Sequence, residues 1–302
     1  MKRITITGAT GRVGTLLVER LKQRGDEVTA LSRDPGRAAA KLGVPAEAWD
    51  PEAAPAPAAA LAGRDAVVHL AAEDINQRWT EDSLRRIRTS REQGTRNLVE
   101  GLRAADPRPK ALISASAVGY YGDRPEPVDE DAPPGDDELA RTCAVWEREA
   151  EQAAGVVGRV VRVRTGIVLD RHAGALKTML LPFRLGVGGP VAGGRQAIAW
   201  IHLGDVIGIY LAAIDGDDWD GAVNATAPEP VSNREFSRAL GRALHRPAVV
   251  PVPALALRLL YGGKSKLVLD GQNAVPRRTL ELGFRHAHPD LDEALRSALR
   301  DT

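Results

Sequence analysis

Apolar positions along this chain fall into two alternating patterns. Short runs rich in β-branched residues, at 4–7, 27–32, 66–71, 110–114 and 159–164, read as buried strands, with 46–49 a weaker one. Between them, apolar residues recur at helical spacing over 15–21, about 80–105 and about 136–154. The Pro- and Ala-rich stretch 51–63 reads as a loop leading into a short helix. The alternation predicts a doubly wound parallel α/β sheet with helices on both faces.

The second half changes character. Gly- and Pro-rich connections fill 185–194, an apolar run follows at 198–202, and a helix is expected from Asp205. Residues 221–226 look like one more sheet strand. Beyond Ser232 the pattern is mostly helical, with a short extended piece at 249–252. The expected division is a nucleotide-binding domain over 1–165, with 197–227 returning to its sheet, and a smaller, mostly helical substrate domain made of 166–196 and 228–302.

The first strand runs directly into Gly8-Ala9-Thr10-Gly11-Arg12-Val13-Gly14, and a helical pattern follows at once. Strand, glycine turn and helix in this order form a dinucleotide-binding context. Gly8 permits the tight turn, Gly11 lets the backbone approach a diphosphate, and Gly14 lets the helix pack closely. The first amides of the helix then face the anion, so Thr10, Arg12 and Val13 join the glycines as expected cofactor contacts.

The end of the second strand selects the nicotinamide cofactor, because an acidic residue there would accept from the adenosine ribose. This chain has Ser32-Arg33 at that point, and Asp34 only after them. A hydroxyl and a guanidinium suit a 2′-phosphate, so NADP(H) is expected over NAD(H), with Arg12 as a second cation. Leu70 and Ala71 follow a buried strand and are expected against the cofactor. Arg91, in the long helix, is expected to reach toward it, whereas His69 is expected to pack within the sheet.

Composition narrows the classes of partner. With 41 basic and 40 acidic residues among 302, no global field points to nucleic acid or a membrane surface. The single cysteine, Cys143, excludes an intrachain disulfide. No apolar run approaches a membrane span, and the start at Met1 leaves no room for a signal peptide before the first strand. A cytoplasmic location is expected. His286 and His288 have no companions at metal-ligand spacing, so no metal is expected.

The glycine spacing G-x-x-G-x-x-G and the stretch Ser114-Ala115-Ser116-Ala117-Val118-Gly119-Tyr120-Tyr121-Gly122 resemble extended and atypical short-chain dehydrogenases/reductases, which have a Rossmann-type sheet. Three later segments narrow the resemblance. They are 181–190, Trp200-Ile201-His202-Leu203-Gly204-Asp205, and 271–278 leading to Leu282-Gly283-Phe284. Together they are similar to the epimerase-like (yfcH-like) group, which carries its own C-terminal domain of unknown function. The resemblance implies that Ser116 hydrogen-bonds a reacting carbonyl or hydroxyl.

It also exposes a departure. The superfamily's acid/base tyrosine, with a lysine four residues on, falls here on Cys143 and Glu147. A neighbouring carboxylate disfavours a thiolate, so Cys143 is expected to be a small buried residue. Tyr120 and Tyr121 are then the phenols near Ser116, and either is a candidate acid. His202 is read as facing the same cleft or as structural, and Lys177 and Arg184 as contacts for an anionic substrate or as a solvated face. The leading reading is an NADP-dependent oxidoreductase or epimerase-like enzyme acting on a small polar substrate. The alternative is an NADP-binding sensor without turnover; a nucleic-acid regulator lacks a basic footprint.

Overall fold

The computed structural model describes residues 1–300; Asp301 and Thr302, the end of the expected C-terminal domain, lie outside the described residues. Seven parallel strands form the central sheet in the spatial order Gly221–Ala225, Arg159–Thr165, Ala111–Ala117, Ala66–His69, Arg3–Thr7, Glu27–Ser32, Ala46–Ala48. This is a Rossmann-like α/β fold. The order reverses between Arg3–Thr7 and Ala66–His69, and ligands of such sheets bind at that reversal, beyond the carboxyl ends of the strands.

Helix packing follows directly from the apolar spacing. In the helix Arg12–Gln23, Gly14, Leu17, Val18 and Leu21 are buried, a single stripe at i, i+3, i+4, i+7. That stripe and the helix Leu203–Asp215 share one core with Ile4, Ile6, Ile113, Val161 and Val223 on one face of the sheet. The opposite face packs Val67 and Leu112 against Leu98 and Leu102 of the helix Glu81–Ala104. A third core, away from the seven-stranded sheet, joins Leu176, Phe183, Trp200, Phe236, Leu240 and Leu295.

Within 197–227 only Gly221–Ala225 is hydrogen-bonded into the seven-stranded sheet. Trp200–His202 instead pairs with Ile167–Leu169, and Ala197–Ile198 with Val231–Ser232. The apolar run at 198–202 therefore lies outside the seven-stranded sheet and bridges two cores, Ile198 and Trp200 filling the third and Ile201 the first. A further small pair, Arg124–Val128 with Gln272–Ala274, ties the C-terminal segment back to the sheet domain. Among the described residues, no helix is long and apolar enough to cross a membrane.

Candidate functional site

The glycine turn leaves the carboxyl end of the strand Arg3–Thr7 and is shaped by close backbone approach. Gly8 has φ +67°, and a Cβ there would lie 2.6 Å from both the Leu70 carbonyl carbon and the Ala71 nitrogen. A Cβ on Gly14 would lie 2.6 Å from the Gly8 oxygen, so this glycine lets the helix sit on the turn itself. Gly11 donates to the Gly8 carbonyl at 3.0 Å and caps the helix Arg12–Gln23 with no side-chain hydrogen bond and no acidic residue in the first turn. The helix start thus keeps its amides and its positive end for an anion.

Leu70 and Ala71 close the other side. The Leu70 amide donates to the Thr7 carbonyl at 3.1 Å, and the Ala71 amide to Thr7 Oγ1 at 3.2 Å. Thr7 Oγ1 also lies 2.7 Å from His69 Nδ1, while His69 Nε2 lies 3.1 Å from Thr95 Oγ1. Complete burial lowers the His69 pKa to about 4. His69 is a packed, neutral member of the sheet, as its apolar surroundings in the sequence imply.

At the end of the second strand the Ser32 hydroxyl donates to the Asp34 carbonyl at 3.1 Å and accepts from the Asp34 amide at 3.2 Å. The Asp34 carboxylate caps the next helix by accepting from the Arg37 amide at 2.9 Å, which leaves Arg33 exposed beside the turn. Lys41, which the sequence reading passed over, reaches back from that helix and donates to the Thr10 carbonyl at 2.7 Å.

Arg12 has a partner that the sequence did not announce. Its Nε donates to Asp170 Oδ2 at 2.7 Å, and Asp170 is buried just after the strand Ile167–Leu169. This guanidinium joins the turn to the segment after Ile167–Leu169, while its side chain stays 40% exposed. Its partner lies 158 residues away in sequence, so no local pattern announced it. Arg91 is also anchored: its Nη1 donates to the carbonyls of Glu73 and Ile87, and its guanidinium lies 4.8 Å from the Trp146 ring centroid. It holds the loop that follows Ala66–His69 against the long helix.

Ser116, Glu147 and Arg164 form one buried assembly. Ser116 Oγ donates to Glu147 Oε1 at 2.6 Å. Arg164, which pairs with Ser116 across adjacent strands, donates to both Glu147 oxygens at 2.8 Å, and the side chains of Glu147 and Arg164 are each 3% exposed. A third donor from Arg164 reaches the Tyr121 hydroxyl at 2.9 Å, and that hydroxyl donates to Asn224 Oδ1 at 2.8 Å. Glu130 continues the network by accepting from the Asn224 and Arg278 amides. Hydrogen bonds to the charged forms, in a dry setting, raise the Arg164 pKa despite the opposing effect of burial.

This assembly sorts the phenols. Tyr121 is fully buried, its oxygen is engaged by Arg164 and Asn224, and burial raises its pKa to about 12. It is a structural member of the network, which corrects its candidacy as an acid. Tyr120 is only partly buried, lies under the Arg164 guanidinium at 3.6 Å from the ring centroid, and keeps its proton more firmly than usual because of burial. Cys143 is buried, and burial pushes its thiol up to about 12.

The remaining candidates lie elsewhere. His202 caps the helix Leu203–Asp215 by accepting from the Gly204 amide at 3.1 Å, and its ring lies 3.9 Å from that of His288. Asp205 accepts from the Ala287 and His288 amides, fastening the C-terminal segment to that helix. Lys177 and Arg184 are exposed on the helix Gly174–Arg184. Sequence reasoning missed Arg164, Asp170 and Asn224. The one available signal was the alternation of Arg162 and Arg164 with Val161 and Val163 along a strand, which places charge where it must be paired.

A parallel sheet of this order, with a glycine turn at its reversal and a serine at the end of the Ala111–Ala117 strand, defines the nucleotide-binding α/β class of the short-chain dehydrogenase/reductase superfamily. More particularly, the chain belongs to the NAD dependent epimerase/dehydratase family, whose model matches residues 4–224. Residues 252–298 match a domain of unknown function, DUF1731. The chain is 38% identical over 302 residues to the human epimerase family protein SDR39U1, covering 97% of this chain and 98% of the relative. It is 35% identical over 300 residues to the epimerase family protein YfhF of Bacillus subtilis, covering 99% and 98%. The crystal structure of human SDR39U1 (isoform 2) with NADPH superposes with a TM-score of 0.89 at 37% identity, covering 99% of both chains. A nucleoside-diphosphate sugar epimerase from Corynebacterium glutamicum gives 0.79 at 31% identity, covering 99% of this chain and 58% of that one.

Proposed function

We propose that this protein binds NADP(H) at the Gly8–Gly14 turn and is an oxidoreductase or epimerase-like enzyme acting on a small polar, sugar-like substrate. The observation that carries the cofactor assignment is the cradle itself: glycines whose added Cβ atoms would meet backbone at 2.6 Å, ending on an uncapped helix start. Ser32 and Arg33 then take the 2′-phosphate, since the Asp34 carboxylate is spent on its helix cap. The relative solved with NADPH supports the same choice. Leu70 and Ala71 back the cofactor, and Arg91 fixes the loop beside it.

The nicotinamide, when bound, supplies a hydride acceptor or donor. The chain's part is to orient the substrate and move a proton. Because Ser116 gives its own proton to Glu147, its oxygen offers lone pairs to a substrate hydroxyl. A substrate hydroxyl can therefore donate to Ser116 Oγ, whose own proton is held by Glu147, a carboxylate that Arg164 fixes in place. Tyr120, which stays protonated, donates to the substrate oxygen.

The second reading, a binding protein without turnover, is favoured by one observation: Glu147 occupies the position of the expected lysine. The two are separated by screening NADPH oxidation against aldehydes, ketones and nucleotide sugars once NADPH binding is established by fluorescence. Turnover that is lost in Ser116→Ala and reduced in Tyr120→Phe supports the enzyme. Turnover that survives both changes refutes the assigned residues, and silence across the panel with NADPH bound supports the sensor.

A further inference from the structure

Away from the sheet, one concavity of the smaller domain is walled by arginines. The helix Asn233–Leu244 carries Arg234, Arg238 and Arg242 at four-residue intervals, hence on one face. His245 ends it in a left-handed conformation, φ 53°, and the chain folds back so that the Arg246 amide donates to the Gly241 carbonyl at 2.9 Å. The return is tight, since a Cβ on Gly241 would lie 2.7 Å from Ala248 Cβ. The result is a cavity of about 530 Å³ lined by Arg238, Arg242, His245, Arg246, Ala248 and Val249. An adjoining hollow of about 380 Å³ shares Arg242 and His245 and adds Asp292 and Arg296.

The charge here is one-sided. Four arginines and a histidine line the two hollows against one carboxylate, Asp292. Two guanidiniums are held in place: Arg242 donates to both Asp292 oxygens at 3.0 and 2.7 Å, and Arg246 Nε donates to the Arg184 carbonyl at 3.1 Å. Glu235, the nearest other acid on the helix, is engaged in the Ser232 cap. Cations at a helix C-terminus offset its dipole, which accounts for Arg242, His245 and Arg246. It does not account for Arg238, a turn earlier, or Arg296, on the helix Leu291–Arg300. Neither makes a side-chain hydrogen bond among the described residues, and the acid that Arg238 faces, Glu235, is already held by the Ser232 cap.

We infer that this concavity is an anion site for a small phosphate-bearing ligand, separate from the nucleotide site at the glycine turn. Guanidiniums bind phosphate oxygens through paired N–H donors, and the volume lies within the range of small-molecule pockets. Ala248 and the exposed Val249 add an apolar edge for the rest of the ligand.

Calorimetric titration of the full chain with inorganic pyrophosphate, in excess NADPH, tests this. One pyrophosphate per chain is expected, with affinity at least tenfold weaker in the Arg238→Ala/Arg296→Ala double variant and partly restored by Lys at both positions. Arg234→Ala, on the same helix but donating to Gly193, should leave it unchanged. These side chains are exposed, so the fold should survive, which circular dichroism verifies. Affinity unchanged in the double variant overturns the inference. So does binding that sulfate or chloride matches at equal ionic strength, because that is screening alone.

Discussion

Ser116 and Glu147 are joined by a 2.6 Å hydrogen bond in which the serine hydroxyl donates to a carboxylate already paired with Arg164. Ser116 and Arg164 are cross-strand neighbours in register, and Glu147 reaches them from the helix Glu138–Glu151. The polarity is therefore the reverse of a serine–tyrosine–lysine site: the anion stands on the helix and the cation on the sheet.

The first prediction concerns that pair. Removing one partner leaves an uncompensated buried charge, so Arg164→Met is expected to cost about 3–5 kcal/mol in urea unfolding. Combining it with Glu147→Leu should cost clearly less than the sum of the two single changes. Strict additivity would mean that the two side chains are not coupled as their geometry requires.

Gly8→Ala should be disabling despite its size. The added Cβ would meet the Leu70–Ala71 backbone at 2.6 Å in a left-handed conformation. The strain is expected to cost about 1–3 kcal/mol and to displace the turn. NADPH titration should show binding lost or strongly weakened; wild-type affinity would contradict the cradle.

Arg33→Ala should separate the two nicotinamide cofactors. Loss of a charge-assisted hydrogen bond is worth about 1.5–3 kcal/mol, or roughly 10- to 100-fold in NADPH affinity. NADH affinity should stay constant, because NADH has no 2′-phosphate. An equal loss for both cofactors would place Arg33 elsewhere.

His69 sets a pH dependence. Its folded pKa of about 4 lies below the ordinary 6.5, so the unfolded chain binds the proton more readily. Stability is then full above pH 6.5 and falls as the pH drops toward 4, by about 3 kcal/mol in all. Urea midpoints at pH 7 and 4.5 should differ more in the wild type than in His69→Gln. Equal slopes would show that other groups carry the acid sensitivity.

Much of this protein is legible before any fold is seen. The long helix expected near 80–105 is Glu81–Ala104, and the strand at 159–164 is Arg159–Thr165. Periods of two and 3.6 residues are properties of the chain itself, so they survive folding unchanged. The glycine turn is equally local, because conformational freedom and the absence of a Cβ are written at single positions. What the alternation did not reveal is which sheet each strand joins: Trp200–His202 has the apolar character of a central strand, yet pairs with Ile167–Leu169 in a separate two-stranded sheet.

The sequence by itself determined the parallel sheet, the glycine turn at Gly8, Gly11 and Gly14, and the Ser32-Arg33 pair at the end of the second strand. Tertiary structure alone decided what the charged side chains do. Arg12 looked free until Asp170 arrived from 158 residues away, and Tyr121 looked available until Arg164 and Asn224 enclosed its hydroxyl. The physical reason is that a buried charge or hydroxyl must find a partner wherever the chain brings one, and such partners carry no period in the sequence.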